Sequence, residues 1–230
     1  MRMRRTVPAA AAVLRLLAVR DGVAQEWASA GEVAVALIGG RRPSSDLAPH
    51  VKRLPGPGLV VAVRFQASPI GPFTELSVME PVRRGVHVGM SITRSVVDDD
   101  RARRDGFGHW GLPPELGALR WTHDGEAVEV RWDEEGLDLR VEPTRRPVPV
   151  VVPMRLLQAR NSDPVIGPAR IRGLMRVGRA EIGAPAEGAF GMWAGAHRGA
   201  LIAAQRIRMG PTMRPLDWGR WRVSDRPSLA

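Results

Sequence analysis

Residues 106–117 form the segment whose residue types are best suited to build a chemical site. The segment holds four glycines and two adjacent prolines together with a histidine, a tryptophan and a carboxylate. Neither a helical period nor a strand alternation runs through it, so we predict a loop of fixed shape. Loops that hold an aromatic and an ionisable group in place often line a binding site. A plain connection between two elements is the alternative.

The same segment resembles a motif of the acetoacetate decarboxylase family. The positions in register with that motif are Gly106, Trp110, Gly111, Pro113, Leu116 and Gly117. In the family, the lysine that forms a Schiff base with the substrate ketone stands where this chain has Pro114, and the lysine that lowers its pKa stands where this chain has Glu115. The resemblance therefore implies a relative that lacks the Schiff-base amine.

A second match lies upstream, at Gly71-Pro72-Phe73 and Glu75. It resembles the family element Gly-Pro-(Tyr/Phe)-x-Glu, whose glutamate points into a barrel and takes part in the reaction. Arg42, or alternatively Arg41, is the nearest match to an arginine that binds substrate in the family. A pair of solvent-exposed loop arginines is the other interpretation of these two residues.

The resemblance would bring Glu75 and Glu115 to one cavity. Two carboxylates in a desolvated site do not both ionise easily, so one pKa should rise and the pair should supply an acid and a base. We therefore predict a lysine-independent acid/base enzyme of the lyase, cyclase, dehydratase or hydrolase type, acting on a small carbonyl or keto-acid substrate. A non-catalytic relative that binds a small molecule is the alternative.

Substrate-binding residues, cofactors and metals can also be predicted. The predicted pocket-lining residues are Arg42, His87, His109, Trp110 and Pro114. The five histidines show no metal-ligand spacing, so we expect neither a metal nor a cofactor. Lys52 is the only lysine and is predicted to lie outside the pocket, which argues against imine chemistry.

Composition limits the class of protein and its partners. The chain has 230 residues, no cysteine and a net charge of +10, and its arginines are spread as singles and pairs. This spread argues against a nucleic-acid partner. No apolar run reaches eighteen residues, so we expect no membrane association, and the absence of cysteine is consistent with the cytoplasm. The resemblance implies a homo-oligomer.

The secondary-structure pattern predicts one mostly β domain over residues 1–230, an acetoacetate decarboxylase-like antiparallel β-barrel with few peripheral helices. Helices are expected at 9–20 and from a cap at 44–46 to Arg53, and 98–104 is expected to be a charged loop. Strands are expected at 32–38, 59–67, 76–82, 86–92, 148–157, 166–177, 189–193 and 201–209, and hairpins at 119–132 and 126–141. His87, Gly89 and Ser91 share one strand face, directed either into a polar pocket or outward.

Overall fold

The computed structural model describes residues 26–39, 47, 51–112, 114–160 and 163–210, without the side chains of Phe107, His109 and Arg160. Twelve strands and one α-helix make up these ranges, with short 3-10 turns at Asp133–Glu135 and Gly191–Trp193. The elements are β1 (Trp27–Ile38), β2 (Lys52–Arg53), β3 (Gly58–Ala67), β4 (Phe73–Arg84), β5 (His87–Val97), α1 (Asp100–Trp110), β6 (Pro114–Leu116), β7 (Leu119–Asp124), β8 (Ala127–Trp132), β9 (Leu137–Pro143), β10 (Val148–Arg160), β11 (Asp163–Gly183) and β12 (Gly195–Met209).

The strands form one sheet that closes on itself. Along the sheet, the order is β10-β5-β4-β3-β1-β12-β11, and β10 also pairs with β11, so these seven strands make a ring. All pairings are antiparallel except β10 with β5 and β5 with β6. The meander β7-β8-β9 joins the ring through β9 and β11. The predicted mostly β architecture, with antiparallel pairing and few helices, is confirmed.

The two largest apolar cores lie on the two faces of the ring strands. Residues from the ring strands and α1, such as Val33, Met79 and Ile202, fill the interior of the ring, which we call the interior core. The opposite face, with Leu76 among its members, packs against β8 and β9 and forms the meander core. This division follows from the period of two along each strand, which sends neighbouring side chains to opposite faces.

The predicted charged loop at 98–104 and the first half of the predicted loop at 106–117 are both wrong, because residues 100–110 form α1. The Asp99 carboxylate caps this helix and accepts hydrogen bonds from the backbone amides of Arg101 and Ala102, at 2.8 and 2.9 Å. Spacing by four residues puts Ala102, Gly106 and Trp110 on one buried face. Their packing outweighs the poor helix propensity of the glycines. No helix within the described ranges is long and apolar enough to cross a membrane.

Three further expectations need correction. The helix predicted to run to Arg53 does not, because Lys52 and Arg53 pair with β4 as β2. The strand predicted at 189–193 is a turn followed by a 3-10 turn, which lets Phe190 and Trp193 fill the meander core. The pair Asp124-Gly125 predicts the two-residue turn of the first hairpin, whereas the turn between β7 and β8 lies at residues 125–126, with Gly125 at φ 62°. The helix predicted at 9–20 and the cap at 44–46 lie outside the described residues.

Candidate active site

Glu75 stands on β4 among the residues of the interior core. It pairs with Val63 of β3 and Val97 of β5, and the residues two places either side of it, Phe73 and Ser77, share its face. Burial raises the pKa of the Glu75 carboxyl above its ordinary value of 4.5, although hydrogen bonds from two serines act in the opposite direction. The neutral acid is therefore favoured more strongly here than in water.

Two serines hold the Glu75 carboxyl in place. The Ser77 hydroxyl donates to Glu75 Oε1 at 2.6 Å, and the Ser95 hydroxyl donates to the same oxygen at 3.0 Å. Ser77 and Ser95 are buried cross-strand partners whose hydroxyls lie 3.2 Å apart. Both bonds end on Oε1, so Oε2 is the carboxyl oxygen suited to exchange a proton with a bound molecule.

A change of pH should reveal the buried carboxyl. The raised pKa means that the folded chain binds a proton more tightly than the unfolded chain, so the free energy of unfolding falls as pH rises from 4.5 through the folded pKa. Glu75→Gln removes this titration, so its stability should rise relative to wild type across that window. Urea unfolding between pH 4 and 8 measures the difference, with Glu187→Gln at an exposed glutamate as the control. Parallel pH profiles for wild type and Glu75→Gln would contradict the assignment.

An aromatic wall faces the carboxyl. The rings of Phe65 and Phe73 stack with centroids 4.4 Å apart, and Trp27 packs edge-on against Phe73 at 6.5 Å and against Trp110 at 4.8 Å. Edge-to-face and offset-stacked pairs at these distances are favourable. The wall therefore keeps the surroundings of Glu75 apolar, and this maintains the desolvation that raises its pKa.

The segment from α1 to β6 closes the cavity on the other side. Trp110 is buried and donates its Nε1 hydrogen to the carbonyl oxygen of Gly210 at 3.2 Å. Pro114, on β6, pairs in register with Ser95, the residue that binds Glu75. Trp110 and Pro114 both line the cavity.

Glu115 does not line this cavity, so the expected carboxylate pair with Glu75 does not form and that expectation is corrected. Successive strand residues point to opposite faces, so a Pro114 in the cavity directs Glu115 outward. The Glu115 side chain is 51% exposed and forms an ion pair with Arg94 Nε at 3.2 Å. The Arg94 guanidinium also pairs with Glu135 at 2.7 Å and lies 4.9 Å from the ring centroid of Trp132. Glu115 thus belongs to a surface network around Arg94.

His87 is also distant from the cavity. It begins β5 opposite Arg84, whereas Glu75 pairs with Val97 at the other end of that strand, roughly 30 Å away at 3.3 Å per residue. A register shift at Val78/Met79 reverses the alternation along β5, so that Ile92 rather than Thr93 faces the interior core. The face shared by His87, Gly89 and Ser91 consequently turns away from the interior, which overturns the inward alternative.

The remaining predicted residues are placed as follows. Arg42 lies outside the described residues, and so does the side chain of His109. Lys52 is exposed on β2, opposite Arg83, and does not line the cavity. Within the part of the chain that the structure describes, no three histidine, aspartate or glutamate side chains converge as metal ligands do.

The cavity itself is narrow. Its lining comprises Trp27, Phe65, Phe73, Glu75, Ser95, Val97, Ala102, Gly106, Trp110, Leu112, Pro114 and Met209. The space open to the centre of a water molecule is about 20 Å³, which is enough for on the order of one water. A ligand of several atoms must therefore displace part of the lining. A carboxyl whose pKa is raised by burial, in a cavity otherwise lined mainly by apolar side chains, is suited to proton transfer.

Sequence reasoning missed the two serines. Ser77 follows Glu75 by two residues in a strand, and the period of two would have placed both on one face. Ser95 could be paired with Ser77 only once the register of β4 and β5 was known. Glu-x-Ser in a strand was therefore the available signal, whereas the contribution of β5 was not visible in the sequence.

Comparison with known proteins identifies the fold. No family model and no curated protein sequence matches this chain. Among solved structures, acetoacetate decarboxylase from Legionella pneumophila aligns with a TM-score of 0.61 and 12% identity, over 82% of this chain and 86% of the other. The enduracididine biosynthesis enzyme MppR complexed with pyruvate aligns with a TM-score of 0.59 and 13% identity, over 82% and 90%. An acetoacetate decarboxylase-like enzyme from Sphingomonas wittichii RW1 aligns with a TM-score of 0.52 and 15% identity, over 87% and 97%. This chain therefore has the fold of the acetoacetate decarboxylase-like proteins.

Proposed function

We infer that this protein is an acid/base enzyme that acts on a small carbonyl or keto-acid substrate without a Schiff base, with Glu75 as the group that carries the proton. The observation behind the proposal is a single carboxyl with a raised pKa, fixed by Ser77 and Ser95 at the wall of an aromatic cavity. A carboxyl whose pKa is raised in this way is suited to act as a general acid or base.

Two observations support the choice of reaction and substrate. Pro114 stands beside Ser95 at the position where the resembled family has its Schiff-base lysine, and it offers no amine. MppR, which shares the fold, has been solved with pyruvate, a keto acid. These observations favour proton transfer beside a carbonyl group over decarboxylation through an imine.

The proposed step is enolisation. Ionised Glu75 would take a proton from the carbon next to the substrate carbonyl onto Oε2; the electrons of the broken C–H bond would form the C=C bond of the enolate, and the C=O π electrons would move to the carbonyl oxygen. Ser95 lines the cavity, but a serine hydroxyl has one hydrogen, so Ser95 would have to turn it from Glu75 Oε1 to that oxygen and leave Ser77 to hold the carboxyl. Return of the proton to the same carbon restores both partners. Trp110 and Pro114 would bound the substrate, and Arg42 and His109 remain predicted contacts.

The lack of an amine at Pro114 also fits a second candidate, a protein that binds a small molecule without turning it over. About 20 Å³ of space holds on the order of one water, so binding by either candidate requires the aromatic wall or α1 to move. A binder and an enzyme differ in one observable property. Only the enzyme exchanges the protons next to a carbonyl with solvent.

Exchange of carbon-bound protons for deuterium tests the proposal directly. The full chain would be incubated in deuterated buffer with acetone, acetoacetate and pyruvate, and loss of the proton signals next to each carbonyl followed by NMR. Exchange faster than in buffer alone is expected for at least one compound. Saturable binding with no exchange for any of them would favour the non-catalytic candidate.

Trapping with borohydride tests the absence of an imine. Lys52 is the only lysine and lies exposed on β2, away from the cavity. Treatment with acetoacetate and borohydride is therefore expected to leave the mass of the protein unchanged. A stable adduct that peptide mapping places at Lys52 would restore Schiff-base chemistry and sink the lysine-independent mechanism.

A further inference from the structure

A second concave surface lies between the loop that follows β9 and strand β11. This groove has a volume of about 390 Å³ and is lined by Glu126, Pro143, Thr144, Arg145, Arg146, Pro147 and Arg176. None of these residues lines the Glu75 cavity. Its size falls within the range of small-molecule sites, but its lining is charged, which points to an ionic ligand.

The loop that carries two of the arginines is fixed. The backbone amides of Thr144 and Arg145 both donate to the carbonyl oxygen of Val177, at 3.0 and 3.1 Å. Pro143 and Pro147 flank the loop and limit its backbone freedom. The backbone from which the Arg145 and Arg146 side chains extend is therefore held in a defined position, so less entropy is lost when a ligand binds.

Arg176 reaches the groove from β11 and is held there by two contacts. Its Nε donates to the carbonyl oxygen of Arg145 at 3.3 Å, and its Nη2 forms an ion pair with Glu126 at 2.7 Å. Within the described ranges, neither the Arg145 nor the Arg146 side chain has an acidic partner, and both residues are exposed. The groove thus combines one paired guanidinium with two that are available to a ligand.

The charge of the groove defines the ligand class. Three arginines and one glutamate give a formal charge of +2 (3 − 1). A phosphate monoester carries about −1.5 to −2 at pH 7 and offers three acceptor oxygens, which guanidinium groups bind in pairs of hydrogen bonds. A single carboxylate supplies half that charge. We propose that this groove binds the phosphate group of a small phosphorylated molecule through Arg145, Arg146 and Arg176.

Glu126 competes with the ligand in this site. It occupies Arg176, and that arginine lowers the pKa of the Glu126 carboxyl mainly through their hydrogen bond, so Glu126 stays ionised. The Glu126 side chain is 71% exposed and can leave the groove. Removal of its charge should therefore strengthen phosphate binding, a gain that damage to the fold does not produce.

Titration of the full chain with methyl phosphate, followed by NMR at low salt, tests the site. The double variant Arg145→Gln/Arg146→Gln should bind about tenfold more weakly or worse, because it removes two charge-assisted contacts. Glu126→Gln should bind roughly two- to fivefold more tightly. Arg103→Gln/Arg104→Gln on α1 changes the net charge by the same amount and should match wild type within about twofold.

Several outcomes would overturn the proposal. Equal losses in the two double variants would mean that overall charge, and not the groove, attracts phosphate. Acetate bound as tightly as methyl phosphate would exclude phosphate as the preferred ligand. If Glu126→Gln does not bind methyl phosphate more tightly than wild type, the groove is not the binding site. Binding should also tighten between pH 5 and 7 as the ligand loses its second proton, which has a pKa of about 6.

Discussion

Glu75→Gln is expected to slow exchange of protons next to a substrate carbonyl about 100- to 10,000-fold, the usual contribution of a positioned general base. Glutamine keeps the size of the side chain, and its amide oxygen can accept the Ser77 and Ser95 hydrogen bonds that Glu75 Oε1 accepts. The amide cannot take up a proton at neutral pH, so only the chemical step should be lost. Deuterium incorporation followed by NMR measures the rate, and unchanged binding of the compound would show that the cavity is intact.

The pH dependence of exchange gives an independent check on the same residue. The base form of Glu75 is ionised, so the wild-type rate should rise with pH through the raised pKa of this carboxyl and then level off. Glu75→Gln should lack this rise. Glu115→Gln is the matched control, because Glu115 is half exposed and paired with Arg94 at the surface. If Glu115→Gln loses as much exchange as Glu75→Gln does, the assignment of Glu75 as the proton carrier is wrong.

The strands could be predicted because their local pattern and their tertiary environment agree. β1, β3 and β4 each contain the apolar or alternating runs from which they were predicted, although the structure extends each of them at one or both ends. The meander was the clearest case, since β8 and β9 bury one face of an alternating sequence. Alternation is a local property, so it survives in the folded sheet without knowledge of its neighbours.

The helix α1 could not be predicted from propensity. Its residues include two glycines and a run of charges, which are typical of a loop. One local and one non-local feature decide its structure: the cap at Asp99, and the burial of Ala102, Gly106 and Trp110 against the interior core. In the sequence alone, Asp99 is one charge among several, and the burial is not visible at all.

Glu75 and Glu115 show what a sequence motif cannot predict, namely the side of the sheet on which a residue lies. The family resemblance predicted that Glu75 and Glu115 would share one cavity, and both do lie on strands adjoining β5. Successive residues of a strand face opposite sides, so Pro114 lines the cavity while its neighbour Glu115 points outward. The shift at Val78/Met79 excludes His87 for a similar reason. The face on which a side chain lies, and the position of each bulge, are set by pairing between strands, which a single sequence does not display.

Gly31→Ala is expected to lower the free energy of unfolding by about 3 kcal/mol, the upper part of the range for overpacking a filled interior. A Cβ at Gly31 would lie 2.0 Å from the backbone oxygen of Arg64 and 3.1 Å from the Cα of Phe65. Backbone atoms do not rotate away, so β1 and β3 must separate at the point where Gly31 pairs with Phe65. Phe65 belongs to the aromatic wall, and the separation should therefore disturb the Glu75 cavity as well.

Urea unfolding, followed by circular dichroism, measures the effect, and Gly39→Ala is the control. A Cβ at Gly39 meets nothing within 4 Å, so that variant should stay within about 1 kcal/mol of wild type and can even gain stability from its stiffer unfolded chain. If Gly31→Ala unfolds at the same urea concentration as Gly39→Ala, β1 and β3 are not packed as closely as described. The wall that keeps Glu75 out of water would then be looser, and the physical cause of its raised pKa would weaken with it.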